Sequence, residues 1–384
     1  MTKNDWFITA LLVALAAANV SAAAPPPAHV LGLQAGPNAT VLKDGKPFCG
    51  IGINFFSCFL RTLKNADDTS YDAGFATLAE KGIPFVRFCA TGFWPRDMKL
   101  YVDDRNEYFR RLDAVVASAQ KHKVGLIPSL FWYYACVPDL VGEPMDQWAN
   151  PKSKTHAWVR NYIAEVMDRY RDNPTIWAWE LGNEFSLYAE IPRGIRPKTH
   201  RDLGTPETRS EGDVLSYAMV RQAFVAFGTA IHQHDPSRLV FTGDSFPRLA
   251  SWHLEQSKSW EHDSIAQFRE MLTKANPDPI SGISLHAYED DDQRFADAMA
   301  VARALNKPIF IGEFGAQHET PEQAAKCKRL LRAIIAHGIS LASLWVFDLP
   351  SQPDFTITAD NGRAYQLDLI SAANRTLKEQ AKSP

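Results

Sequence analysis

The sequence predicts an α/β chain of a single domain, folded as a closed (β/α)8 barrel. Three observations carry that expectation. Strand-like and helix-like segments alternate from residue 48 onward with no linker between them, and they pair into eight strand–helix units. Alternating units of this kind build a parallel sheet, and eight of them close it. The connections are also lopsided. Helix-to-strand links are short, as at Gly82-Ile83, His122-Lys123 and Gly338, whereas strand-to-helix links run over 131–153, 185–212 and 243–258. Elaboration on one face puts the working end at the C-terminal mouth of the strands. An open doubly wound sheet is the alternative fold, and the chain lacks the glycine-rich phosphate loop that such a sheet carries after its first strand.

Taken in order, the strands are expected at 48–55, 84–88, 124–130, 175–181, 238–242, 280–285, 308–312 and 339–346. Each is a short apolar run bounded by turn residues. The helices are expected at 70–81, 105–121, 154–171, 213–234, 259–275, 293–305, 321–337 and 363–381, the last with a break near Leu367. In the second of them Phe109, Leu112, Val115, Val116 and Ala119 recur at helical spacing. Ahead of the barrel, Lys3 precedes an apolar run over 7–20 and then Ser21-Ala22-Ala23-Ala24. That is the pattern of a secretory signal peptide with a small-residue cleavage site. Residues 1–24 are therefore expected to be removed, 25–40 to form a leader, and 41–384 to form the catalytic barrel. The apolar run is shorter than the ~20 residues that cross a bilayer, so no membrane span is expected after cleavage, and the expected location is secreted or periplasmic.

Hydrophobic residues make up 46% of the 384, enough for a full-sized core. A net charge of −3 gives no concentrated positive surface for nucleic acid or an anionic membrane. Cysteines stand at 49, 58, 89, 136 and 327, an odd number with no CxxC pair. Buried thiols are expected for most, with a disulfide among Cys58, Cys89 and Cys136 open to an exported chain. The sequence has no HExxH, Walker loop, EF-hand or GxSxG motif, so no metal or other cofactor is expected.

The chemistry is read from two strand ends. Trp179-Glu180-Leu181-Gly182-Asn183-Glu184-Phe185 closes the fourth strand, and Ile311-Gly312-Glu313-Phe314-Gly315 closes the seventh. Two glutamates at the mouth of one barrel are what glycosidic bond cleavage asks for: one carboxyl group to protonate the leaving oxygen, the other to attack or to activate water. Their environments must differ so that one stays protonated and the other ionised. Arg87, between Val86 and Phe88 at the end of the second strand, is placed to orient a carboxylate.

These segments resemble glycoside hydrolase family 5, the cellulase and β-mannanase barrels, over most of the chain from about residue 48 to 345. The resemblance implies a TIM barrel and a retaining mechanism with Glu184 as acid/base and Glu313 as nucleophile, the carboxyl groups ~5–5.5 Å apart. It also implies supporting roles in substrate binding. Asn183 would meet a sugar hydroxyl, and Leu285-His286-Ala287-Tyr288 matches the His-x-Tyr after strand six, with Tyr288 donating to Glu313. Trp345 would floor the sugar site. The sequence departs from the family after strand three, where many members carry a histidine and this chain reads Ser129-Leu130-Phe131-Trp132.

Aromatics crowd the strand-to-helix loops, and Trp94 and Trp132 are the first candidates for stacking on sugar rings, ahead of Tyr133, Tyr134, Trp148, Trp252 and Trp260. Asn54 after strand one either faces the cleft or serves a turn, and Asp244 after strand five is a third polar group or a helix cap. The basic stretch 193–201 is expected to be a solvated loop, and the acidic run 289–292 to cap the helix that follows. The expected substrate is a β-linked oligo- or polysaccharide, a β-1,4-mannan first. A β-glucanase or an exo-acting enzyme of the same fold is the alternative within this class. A non-catalytic carbohydrate-binding barrel and an esterase in the same cleft are alternatives outside it.

Overall fold

The computed structural model describes residues 31–289 and 292–380. Eight parallel strands form the barrel: Gly50–Asn54, Phe85–Cys89, Gly125–Ser129, Trp179–Glu180, Val240–Phe241, Ile283–Ala287, Ile309–Phe314 and Leu341–Leu344, called first to eighth below. The eighth pairs back onto the first, Leu341 opposite Gly50. At the seam between fifth and sixth the Ser281 and Gly282 N–H groups reach the Val240 carbonyl at 3.1 and 3.2 Å, while the Ser281 hydroxyl accepts from the Val240 N–H at 2.7 Å. These bonds bring the sheet nearly to closure.

Alternation along the strands sorts side chains into two layers. Val86, Phe88, Ile309 and Ile311 join the large cluster under the outer helices. Phe85, Ile127, Trp177, Phe241, Phe310 and Leu341 pack against one another inside the barrel. Such bulky interior rings need gaps on neighbouring strands. A Cβ on Gly125 would lie 2.1 Å from the Trp177 ring, and one on Gly282 2.1 Å from the Phe241 ring. The next inward positions toward the mouth are polar: Asn54, Arg87, Ser129, Glu180, His286, Glu313 and Ser343, all buried. The barrel is therefore apolar at its middle and polar at its open end.

Most helices lie where the periodicity predicts, among them Arg105–Lys121, Lys154–Tyr170 and Pro321–Ala336. The expected helix over 259–275 is instead two, Ser251–Ser257 and Ile265–Lys274. Lys258 turns left-handed with φ 55°, and Ser264 and Gln267 form a reciprocal cap that starts the second helix. The helix expected from 213 begins at Tyr217, where Ser216 caps it. The last helix, Tyr365–Gln380, runs unbroken through Leu367, which is fully buried. All five cysteines are free thiols. No helix among the described residues is long and apolar enough to cross a membrane.

The expected leader over 25–40 is corrected for its described part. Leu33–Ala35, Val41–Lys43 and Lys46–Pro47 make a small antiparallel sheet beneath the barrel. Leu33 donates from its N–H to the Trp177 carbonyl at 2.7 Å and accepts from the Leu239 N–H at 2.8 Å. Its side chain and that of Val41 complete the interior cluster from below. An apolar interior open at its floor needs such a plug, and strands of two or three residues are too short to show a period. The signal-peptide segment lies outside the described residues. Because Leu33 is fully buried, Leu33→Ala is expected to cost about 2–5 kcal/mol of folding stability in urea unfolding while leaving the mouth of the barrel intact.

Candidate active site

Strand register brings the polar side chains together. Asn54 lies opposite Arg87, Ser129 opposite Glu180, and His286 opposite Glu313. Glu313 reaches the interior through an irregularity. Ile311 pairs with Leu285 but Glu313 already pairs with His286, so Gly312 is an extra residue. Ile311 faces the helices, and strict alternation would send Glu313 there too. A bulge of one residue turns it inward. Gly312 also has to be small, since a Cβ there would stand 2.8 Å from the His286 Nε2.

Arg87 is the hub, fully buried, with each of its N–H groups matched. Nε donates to Glu180 at 2.7 Å. Nη1 donates to Asn54 Oδ1 at 3.2 Å and Glu313 Oε1 at 2.9 Å. Nη2 donates to the Gly182 carbonyl at 3.2 Å and Asn183 Oδ1 at 2.9 Å. The Trp132 ring covers the guanidinium face at 4.1 Å, in the place where the sequence lacks a histidine. Asn54 itself donates to the Gly312 carbonyl at 2.8 Å, tying the bulge to the first strand.

The two glutamates differ in their surroundings. Glu313 accepts from Arg87 and, through Oε2, from the Tyr288 hydroxyl at 2.6 Å. Among the described residues Glu184 has no such cation in hydrogen-bonding contact. Its Oε1 meets His286 Nδ1 at 2.9 Å. Burial pushes the Glu184 carboxyl above the usual carboxylate range, against the weaker pull of Arg87 and Arg248. Burial likewise pushes His286 down to about 3, so the ring is neutral. Nε2 of that ring is buried with no partner among the described residues, which puts the ring proton on Nδ1, because a buried N–H without an acceptor is the costlier choice. His286 then donates to Glu184 Oε1 and leaves Oε2 free for a proton. Glu184 has φ 54° and ψ 35°, a left-handed conformation uncommon for a side chain of this kind. Asp244 braces the turn that follows, accepting from the Ser186 N–H at 3.3 Å and from the Ser186 hydroxyl. Burial raises Asp244 to about 7.

One oxygen each of Glu184 and Glu313 and a ring nitrogen of His286 lie within 4.8 Å of one another. They are spaced as metal ligands are, but Glu313 already has the guanidinium beside it and His286 Nδ1 is held by Glu184. The carboxylates open into a cavity of about 550 Å³. Phe56, Phe93, Trp132, Trp345 and Phe355 form its aromatic side, and Asn183, Glu289, Gln317, Gln323, Lys326 and Gln352 its polar side. Trp345 is fixed by a bond from Nε1 to Gln352 Oε1 at 2.8 Å.

Some expected contacts fall elsewhere. Trp94 does not line the cavity; its ring packs on Phe93, Tyr133 and His200, so it buttresses the wall from behind. Asn54, Arg87 and His286 also lie behind the lining and act through the carboxylates. Tyr134 and Trp148 are core residues, and Trp260 is 54% exposed and away from the cavity. In the basic stretch Arg196 pairs with Glu211 and Arg201 with Glu207, as in a solvated loop. Of the acidic run, residues 290 and 291 lie outside the described residues, and the helix starts at Asp292. Sequence reasoning passed over Glu180, Phe56, Phe93, Phe355 and Lys326. Glu180 alone had a signal: a charge between Trp179 and Leu181 inside a buried strand requires a partner.

A parallel eight-stranded barrel with two unlike carboxyl groups facing an aromatic-lined cleft at its C-terminal mouth defines the class of (β/α)8 barrels built for carbohydrate. Sequence comparison narrows this: the chain belongs to the cellulase family, glycosyl hydrolase family 5, whose profile matches residues 41–348. Among curated relatives, a probable mannan endo-1,4-β-mannosidase A of Aspergillus flavus is 34% identical over 161 residues, 37% of this chain and 40% of that protein. The chain thus spans well under two thirds of that relative's length. A rice mannan endo-1,4-β-mannosidase 1 is 25% identical over 321 residues, 72% of this chain and 67% of the relative. The endo-1,4-β-mannanase structure from Rhizomucor miehei superposes with a TM-score of 0.64 over 91% of this chain and 99% of that one, at 18% identity, a likeness of fold.

Removing the hub leaves Glu180 and Glu313 buried without their cation. Arg87→Met is therefore expected to destabilise the fold by about 3–5 kcal/mol, read by chemical denaturation.

Proposed function

We propose that this chain is a retaining β-glycosidase that hydrolyses β-1,4-linked mannan by double displacement, with Glu184 as acid/base and Glu313 as nucleophile. The observation that carries this reading is the approach of the two carboxylates within 4.8 Å in unlike environments. That spacing suits direct attack by one carboxylate, whereas an inverting pair stands ~6.5–9.5 Å apart to admit water between. The relatives' names, all of them mannosidases among those compared above, supply the sugar and the linkage.

In this mechanism Glu184, kept protonated by burial, gives its Oε2 proton to the glycosidic oxygen as the bond breaks. Glu313 attacks the anomeric carbon. Tyr288 and Arg87 hold its two oxygens, so its attacking lone pair is presented in one direction. Asn183, fixed by Arg87, lines the cleft beside Glu184 and meets a sugar hydroxyl. Trp345 and Trp132 present apolar faces to the C–H side of the rings. After the aglycone leaves, Glu184 takes a proton from water, and that water releases the sugar from Glu313 with its anomeric configuration retained. Export with removal of residues 1–24, and a catalytic domain that begins with the floor strands near residue 33, complete the proposal.

Reducing-sugar release should appear on β-mannans and mannooligosaccharides and be lost in Glu313→Ala, with β-glucans and xylan as the contrasting panel. Absence of release on every member would overturn the reading. Proton NMR of the first products should show the β-anomer; an α-anomer would exclude retention. Because Glu184 must be protonated and burial raises its pKa, kcat/KM should fall on the alkaline side as Glu184 ionises. In Glu184→Gln that alkaline limb should vanish along with most activity on mannan.

A further inference from the structure

Glu180 belongs to neither step of the proposed reaction, yet it is the most enclosed acid of the mouth. Its side chain and that of Arg87 are both 0% exposed. It does not line the cavity. A Cβ on Gly243 would come 2.8 Å from its carboxyl carbon, so the glycine after the fifth strand makes room for it. Its Oε1 takes Arg87 Nε at 2.7 Å, and the Ser129 hydroxyl on the neighbouring strand, which donates to the Gly182 carbonyl at 3.1 Å, also favours its charged form.

Neutralising Arg87 does not explain this acid. Glu313 already supplies one carboxylate at 2.9 Å, and burial together with the Glu313 charge raises the Glu180 carboxyl above the usual carboxylate range. A second buried acid beside a single cation is unfavourable for folding. What it adds is geometric. Four acceptors hold Nη1 and Nη2 and the Trp132 ring covers the face, but all of them grip the far end of the fork. The bond at Nε holds the stem end and so completes the setting of its plane. With the plane fixed, Nη1 faces Glu313 and Nη2 faces Asn183, the two groups at the reacting bond.

We infer that Glu180 is a positioning residue of the proposed reaction, which sets the nucleophile's orientation by fixing the plane of Arg87. It never touches substrate and acts through the guanidinium alone. The inference rests on Glu313 as nucleophile, and its test keeps the two apart.

Glu180→Gln retains an acceptor for Nε without charge, and Glu180→Leu removes the acceptor. On mannooligosaccharides kcat should fall about 10-fold in the first and about 100-fold in the second, the loss that a misplacement near 1 Å brings, with KM within about twofold of the parent. The thermal midpoint should not fall in step, since each variant removes a buried ionisable group whose desolvation opposes folding. In a crystal structure of Glu180→Leu the guanidinium should be turned so that the Nη1–Glu313 bond is lost. Unchanged Arg87 geometry with kcat within twofold would overturn the inference. So would a loss of activity that tracks loss of folded protein in both variants. The orientation of Arg87 decides the positioning role by itself, while failure of the parent enzyme to depend on Glu313 would count against the proposed reaction instead.

Discussion

The mouth of this barrel depends on one planar cation with a matched acceptor for each of its donors. Arg87 draws Asn54 from the first strand, Glu180 and the Gly182-Asn183 turn from the fourth, and Glu313 from the seventh into one plane, and Trp132 from beyond the third covers its face. Lysine could not replace it, because a point charge on a flexible stem has neither the fork nor the flat face. Buried ion pairs contribute little net stability, as desolvation offsets the Coulombic gain. The arrangement makes sense as a device of orientation, and the fold is stabilised elsewhere, by the aromatic interior and the helix-facing strand residues.

From the same hub follows the difference between the two glutamates. Both project from strand ends into one cleft, but one is bound to the guanidinium and a tyrosine hydroxyl, and the other sits against a neutral imidazole. A proton is expected on the second because burial outweighs the weaker pull of Arg87 and Arg248. The neutral state of His286 is part of this. A charged imidazole there would favour the ionised form of Glu184, and burial prevents it.

The sequence made the barrel legible because its strands are apolar runs and its long loops fall on one side. It made the two carboxylates legible because one stands just past the fourth strand and the other near the end of the seventh, each breaking an apolar run. Where reading failed, the physics was local. Glu180 was hidden by its neighbours, since Trp179 and Leu181 mask a single inward charge unless the strand is read at period two. The bulge at Gly312 left no mark of its own, a glycine beside a strand end being ordinary. Trp94 was misjudged because loop aromatics pack on one another as readily as they face a ligand, and here Phe93 takes the inner position. The split near Lys258 depended on a left-handed residue that is not glycine, which composition does not reveal.

The floor of the barrel carries a practical corollary. Leu33 is stitched between the fourth and fifth strands at the pole opposite the cleft, bonded to the Trp177 carbonyl and the Leu239 N–H. A linker, resin or fused module attached on the N-terminal side of Leu33 therefore pulls on the base of the molecule. The cleft at the other pole stays unobstructed in whatever orientation the tether allows. Traction along that tether falls on two backbone hydrogen bonds and a buried leucine, at the far pole from the cleft.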